Sequence, residues 1–248
     1  MDQCRAPLAV DRCVRSRNPA FDALAFAANR KGICQMIQTQ LLRLMMLLSP
    51  SFPVGGFAYS SALEQAAVDG LVSNPDELGD WLEATLQSGS LYNDAILLVQ
   101  AHCGQIDEAN EMALALAGSK ERYLETTAQG AAFVAAVRAA NLPCPALPEP
   151  IAYSISVGAV AAVQDIAAED AVGAFLHAFL SNQIQCAIRL GITGQNGGVA
   201  LLAQLENRIA GLSSGLAAST LDDLGSNTIM ADISSKRHEA LGSRIFRT

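Results

Sequence analysis

Apolar positions along this chain recur mostly with helical spacing. Within LLRLMMLLSPSFPVGGFAYSSALEQ (41–65), Leu41, Leu44, Met45 and Leu48 fall three or four residues apart, and Leu42, Met46 and Leu47 fill the other side. A segment apolar all round predicts a central helix over 36–48. Ser49-Pro50 and Phe52-Pro53 push the residues before each proline out of the α region, and Gly55-Gly56 permit a tight bend. Ser60 or Ser61 then caps a second helix over 60–69, with Glu64 placed as in a capping box.

The same periodicity continues downstream. Asn74-Pro75-Asp76-Glu77 supplies an N-cap, a proline at the first helical position and an acidic third residue, ahead of a face of Leu78, Trp81, Leu82, Thr85 and Leu86. Further helices are predicted over 93–103, 106–117, 119–140, 154–168, 170–190 and 197–214, with a short one from Leu221. The 154–168 stretch starts β-branched, but its alanine density and lack of alternation favour helix. Four prolines between Asn141 and Pro150 demand an irregular connector, read as a loop inside one bundle. The fold class is therefore all-α: a single compact domain of about eight to ten helices over 36–231, preceded by a flexible or peripheral extension (1–35) and followed by a tail (232–248). Met36, just before the first strong helix, is a candidate start of translation, and FDALAFAAN (21–29) could form a short helix in the extension.

Composition narrows the function. The 248 residues are 51% hydrophobic and 16% charged, a surface short of charge that implies cover by other subunits. Charge is divided: Lys/Arg against Asp/Glu is six to three over 1–34, six to nineteen over 35–231 and four to two over 232–248. An acidic body argues against nucleic acid, and no apolar run is long enough to span a membrane. The six cysteines form no CxxC pair and no secretory signal precedes them, so free thiols in a cytoplasmic protein are expected. His102-Cys103 lacks further metal ligands at a usual spacing, and His177, among apolar residues, reads as a packing residue. Asp222 and Asp223 are chain neighbours and suit a helix start or a polar contact better than acid–base chemistry. No nucleophile–base pattern or nucleotide loop emerges, which leaves an interaction protein and a helical enzyme with a buried pocket both open. In the tail, Arg244-Ile245-Phe246-Arg247 sets an apolar anchor between two arginines, as a docking peptide would.

Four ordered segments then become specific. LLRLMMLLSPSFPVGGFAYSSALE (41–64), NQIQCAIRLGITGQNGG (182–198), LDDLG (221–225) and ISSKRHEALGSRIFR (233–247) resemble the urease accessory protein UreF family over about residues 36–248. The resemblance implies a cytoplasmic, non-enzymatic adaptor that dimerises, binds UreD (UreH in some species) and recruits the GTPase UreG to apo-urease for GTP-dependent nickel insertion. It implies no directly bound cofactor, nickel and GTP being handled by the assembled complex. Expected partner-binding residues are Phe57, Tyr59, Arg189, Gln195, Asp222, Asp223, His238, Glu239, Arg244, Phe246 and Arg247. Removing 233–248 is expected to leave the helical spectrum intact while weakening assembly. Three positions depart from the family pattern: Ala62 where glycine is common, Ile192 where proline is common and Val199 where glutamine is common. The alternatives are a helical scaffold for another assembly and, more distantly, a helical enzyme.

Overall fold

The computed structural model describes residues 38–247. The extension over 1–35, its short helix and Met36 lie outside the described residues. Two units divide the chain, Met1–Arg43 and Leu44–Thr248. Helix α1 (38–47) starts in the first unit and ends in the second. The second unit continues with α2 (Leu63–Val68), α3 (Pro75–Ser88), α4 (Ser90–His102), α5 (Ile106–Ala115), α6 (Lys120–Ala139), α7 (Tyr153–Val163), α8 (Ala168–Arg189), α9 (Gln195–Leu216) and α10 (Ile229–His238). Short 3-10 turns occupy Gly56–Ala58 and Leu221–Asp223, and no strand occurs among the described residues.

The centre of the bundle is the α4–α7 pair. Leu91 and the run from Ala95 to Ala101 in α4 are buried, as is Ser154 to Ala161 in α7, so both helices are enclosed on every side. Small residues make this contact possible. A Cβ on Gly158 would lie 2.2 Å from the Leu98 carbonyl oxygen, and one on Gly130 of α6 would lie 2.2 Å from the Ile151 oxygen. Helices α8 and α9 pack as a pair beside this centre, and α10 lies against α2 and α6. The central role expected for α1 falls to α4 and α7 instead. Leu44 and Leu47 of α1 enter the core, but Leu41, Leu42, Met45 and Met46 are each at least 40% exposed. A helix whose apolar residues run all the way round can bury only the stripe that meets a neighbour.

Local signals fix the helix ends. The Asn74 side chain accepts from the Asp76 and Glu77 amides at 3.1 and 3.0 Å, and Glu77 accepts in return from the Ser73 amide and hydroxyl. Ser119 caps α6 through the Arg122 amide at 3.0 Å. Helix α7 has no cap of its own and takes partners from elsewhere. The Asn110 side chain accepts from the Ala152 amide and donates to the Pro150 carbonyl, while Thr126 accepts from the Tyr153 amide. These bonds tie the proline-rich connector into the bundle, so it is a loop within one domain.

Candidate partner-binding surface

The first bend is built from backbone angles that few residues tolerate. Gly55 has φ 75°, and Ser61 and Ala62 sit at φ 48° and 74° before α2. The left-handed backbone at Ala62 is one that a Cβ disfavours, so the position suits the glycine that the resemblance led one to expect there. At Ile192, a second of the three departures, the amide donates to the Ala187 carbonyl at 2.9 Å, closing the end of α8 with a bond that proline cannot make.

Three aromatic residues leave the bend in different directions. Phe52 starts a ladder of rings through Phe133 and Tyr153 to Phe175, with centroids 5.4 to 5.7 Å apart. Tyr59 is buried, its carbonyl accepting from the Asn182 amide group and the Cys186 thiol. Phe57 points outward and is 45% exposed. Its carbonyl accepts from Arg189 Nη1 at 2.7 Å, which ties the end of α8 to the bend.

The C-terminal segment closes over this corner. Ser235 bonds Ser119 at 2.6 Å, Arg237 pairs with Asp69 at 2.9 Å, and Glu239 accepts from the Lys120 amide at 2.9 Å. His238 is fully buried. Its Nδ1 lies 2.7 Å from Glu121 Oε2 and its Nε2 lies 3.0 Å from Glu64 Oε2. Arg244 pairs with Glu121 at 2.5 Å, and the Ile245 and Phe246 amides donate to the two Glu64 oxygens at 2.6 and 3.0 Å. Burial pushes the Glu64 carboxyl up, but the His238 hydrogen bond and these two amides outweigh it and hold the group below its ordinary value. The Arg247 amide donates to the Ala58 carbonyl at 2.7 Å, and the Arg189 guanidinium lies 4.2 Å from the centre of the buried Phe246 ring.

The expected site residues therefore separate. Tyr59, His238 and Phe246 are inside the chain's own fold, where they fasten the corner. Phe57, Arg189, Glu239, Arg244 and Arg247 are exposed on or beside it. Gln195 is exposed at the start of α9, while Asp222 and Asp223 are exposed in the 3-10 turn beside α4; none of the three bonds to the clasp. Asp223 closes a capping box with Thr220, in keeping with a role at a helix start. Glu64 and Glu121, the two residues that gather the tail, were missing from the expected set. The capping-box reading accounted for Glu64 as a local partner, whereas its carboxylate serves residues more than 170 positions away.

A cavity of about 150 Å³ lies between the bend and α6, α7 and α8, lined among others by Leu48, Phe57, Tyr153 and Phe175, with Glu125 and Gln129. His177 also lines it, on an exposed position, so the packing role expected for this residue is not found. The His102 ring bonds the Ile166 carbonyl at 2.8 Å. Among the described residues no group of three or more His, Cys, Asp or Glu is arranged to hold a metal ion, and no helix is long and apolar enough to cross a membrane.

Comparison with known proteins agrees with the four sequence segments. The UreF family profile matches residues 72–206. The urease accessory protein UreF of Allorhizobium ampelinum is 49% identical over 221 residues, covering 84% of this chain and 96% of that protein. The proteins of the same name from Rhizobium leguminosarum bv. viciae and Agrobacterium fabrum are 48% and 46% identical over 214 residues, with the same coverage.

Proposed function

The chain belongs to the UreF family of urease accessory proteins, and we propose that it acts in urease maturation as a non-enzymatic adaptor in the cytoplasm. In this reading it binds UreD (UreH), brings the GTPase UreG to apo-urease, and couples GTP turnover to nickel insertion. Nickel and GTP belong to the assembled complex and not to this chain.

The observation that carries the adaptor reading is the clasped corner. Flexible tails lose binding energy to ordering, whereas residues fixed before encounter do not. Phe57, Ile245 and the exposed arginines 189 and 247 stand on a base fastened by buried ionic and backbone bonds. An exposed aromatic and aliphatic pair with arginines alongside has the composition of an interface anchor. The exposed Met45 and Met46 at the end of α1 offer a further apolar surface, which suits the proposed homodimer.

The experiment is co-expression with UreD, UreG and apo-urease. The chain should co-purify with UreD and UreG, and urease activity should recover only with nickel and GTP. Equal recovery in its absence, with no complex formed, would refute the adaptor. Arg247→Ala should reduce complex formation while leaving the helical circular dichroism of the isolated chain unchanged, because only its main-chain amide holds the tail.

A further inference from the structure

The cavity of about 150 Å³ beside the bend is lined, among the described residues, only by the bend and by α6, α7 and α8. No residue of the C-terminal clasp is among them. Its apolar wall is largely aromatic, with Phe57, Tyr153, Phe175 and Phe179 alongside Leu48 and Val54. Tyr153 and Phe175 are fixed by the ring ladder, their centroids 5.7 Å apart. Burial pushes the Tyr153 phenol above its ordinary value, so its ring stays neutral. Neutral aromatic faces of this kind attract cations.

The polar part of the wall offers acceptors. Glu125 is 3% exposed and accepts from the Ser61 hydroxyl at 2.8 Å. Gln129 is 8% exposed and donates to Glu125 at 3.3 Å, which turns its amide nitrogen to the carboxylate. Its Oε1 then bonds to none of the described residues. Asn182 gives its amide nitrogen to the Gly56 and Tyr59 carbonyls at 3.2 and 3.4 Å, and its oxygen is likewise unbonded among them. A nearly buried amide oxygen without a donor is uncommon in a folded chain, and it favours a guest that brings N–H groups.

Charge points the same way. The described wall residues include one carboxylate, Glu125, and no lysine or arginine. Arg122, outside the wall, approaches Glu125 at 3.7 Å but makes its closer ion pair with Asp94. Ser181 and Gln185 can accept as well as donate, and His177 is exposed. An apolar void of this volume holds about one six-membered ring.

We propose that this cavity binds a small organic cation: a single ring or branched alkyl group against the aromatic wall, carrying a primary ammonium that donates to Gln129 Oε1 and the Glu125 carboxylate. The site goes beyond the adaptor reading and does not depend on it.

The test titrates benzylamine, benzyl alcohol and benzoate into the full-length chain at about pH 8, where an alkylammonium keeps its proton. Calorimetry gives the affinities, and amide chemical shifts of Phe57, Phe175 and Phe179 give the place. Benzylamine should bind with a dissociation constant of about 1 mM or lower and shift those amides. It should bind about tenfold or more tighter than benzyl alcohol, and benzoate should not bind. Ala178→Leu, which fills the cavity from α8, and Gln129→Met, which keeps the length and removes the oxygen, should each weaken benzylamine by about tenfold. No binding of benzylamine, equal affinity for benzyl alcohol, shifts confined to residues away from the cavity, or unchanged affinity in either variant would overturn the site. If a variant fails to fold, the three compounds and the shift map on the unaltered chain decide the matter alone. A chain that assembles with UreD and UreG but binds no benzylamine keeps the adaptor and loses the site; one that binds benzylamine without assembling does the reverse.

Discussion

Replacing Glu64 with alanine should both destabilise the fold and free its C-terminal segment. The carboxylate is 3% exposed as a residue and accepts from His238 Nε2 at 3.0 Å, the Ile245 amide at 2.6 Å and the Phe246 amide at 3.0 Å. Each buried donor left without its acceptor, the His238 ring N–H or a main-chain amide, costs about 1–3 kcal/mol. Those losses do not simply add, because the segment can swing into water and satisfy its amides there. Release then forfeits the burial of Phe246, about 2 kcal/mol, together with the remaining ionic contacts. The cheaper route sets the result, at about 3 kcal/mol. Urea unfolding followed by helical circular dichroism should show a lower midpoint with little change in slope, and trypsin should cut at Arg244 and Arg247 in native buffer. Glu64→Gln, which keeps the shape and one acceptor, should lose less than half as much. Stability within about 0.5 kcal/mol of the parent, with the segment still protected in Glu64→Ala, would refute the claim that this residue organises the corner.

Four further outcomes follow from named contacts. Gly158→Ala should cost about 1–3 kcal/mol by overpacking against the Leu98 backbone, whereas Gly211→Ala, with open space around its Cβ, should gain up to about 1 kcal/mol from helix propensity; urea titration separates the signs. Truncation after residue 232 should lower the melting temperature by about 5–10 °C for a loss near 3 kcal/mol, because it removes the burial of Phe246 and the bonds that His238 and Arg244 make to Glu64 and Glu121, while the helical spectrum below the transition stays intact; a thermal scan, circular dichroism and pull-down check it. Because the Glu64 carboxyl is held below its ordinary value, the stability it contributes is present above the unfolded-state value and is lost as pH falls through the lower folded value; amide exchange of Ile245 under acid should report it. Phe246→Ala should destabilise by about 3 kcal/mol or more with complex formation impaired as a consequence, while Ile245→Asp should leave stability within about 0.5 kcal/mol and impair complex formation directly.

The helices were legible because their signals are local. Asn74 with Pro75 and Glu77, Ser119 before α6, and the apolar run of α4 each act within a turn or two of chain. The status of α1 was not legible in the same way. Periodicity shows that Leu41, Leu42, Met45 and Met46 are apolar, but burial needs a neighbour on each side, and sequence spacing does not supply one. For the site, motif resemblance brought the bend and the tail onto one short roster without saying that they touch. The missing information was the reach of Glu64 and Glu121, whose partners are 117 to 182 residues distant. No periodicity encodes a contact at that separation. The strain that an alanine meets at position 62 becomes intelligible only once the left-handed backbone there is seen.

The tail motif admits two physical roles, and the structure assigns them to alternate residues. Phe246 is 4% exposed, whereas Ile245 is 56% exposed and Arg247 is also open. The main chain determines this alternation: the Ile245 and Phe246 amides bind opposite oxygens of Glu64, and the Arg247 amide binds the Ala58 carbonyl. With the backbone fixed at three consecutive amides, a one-residue slip would carry Ile245 inward and Phe246 outward, and would separate Arg189 from the ring it now covers. The register is thus held by Glu64 and by the bend, and it decides which side chains a partner can meet. Arg244 spends its charge on Glu121, while Arg247 keeps its charge on the surface. The two arginines that looked equivalent in sequence therefore differ in kind: the first fastens the corner through Glu121, and the second, anchored by its amide, leaves its side chain on the surface.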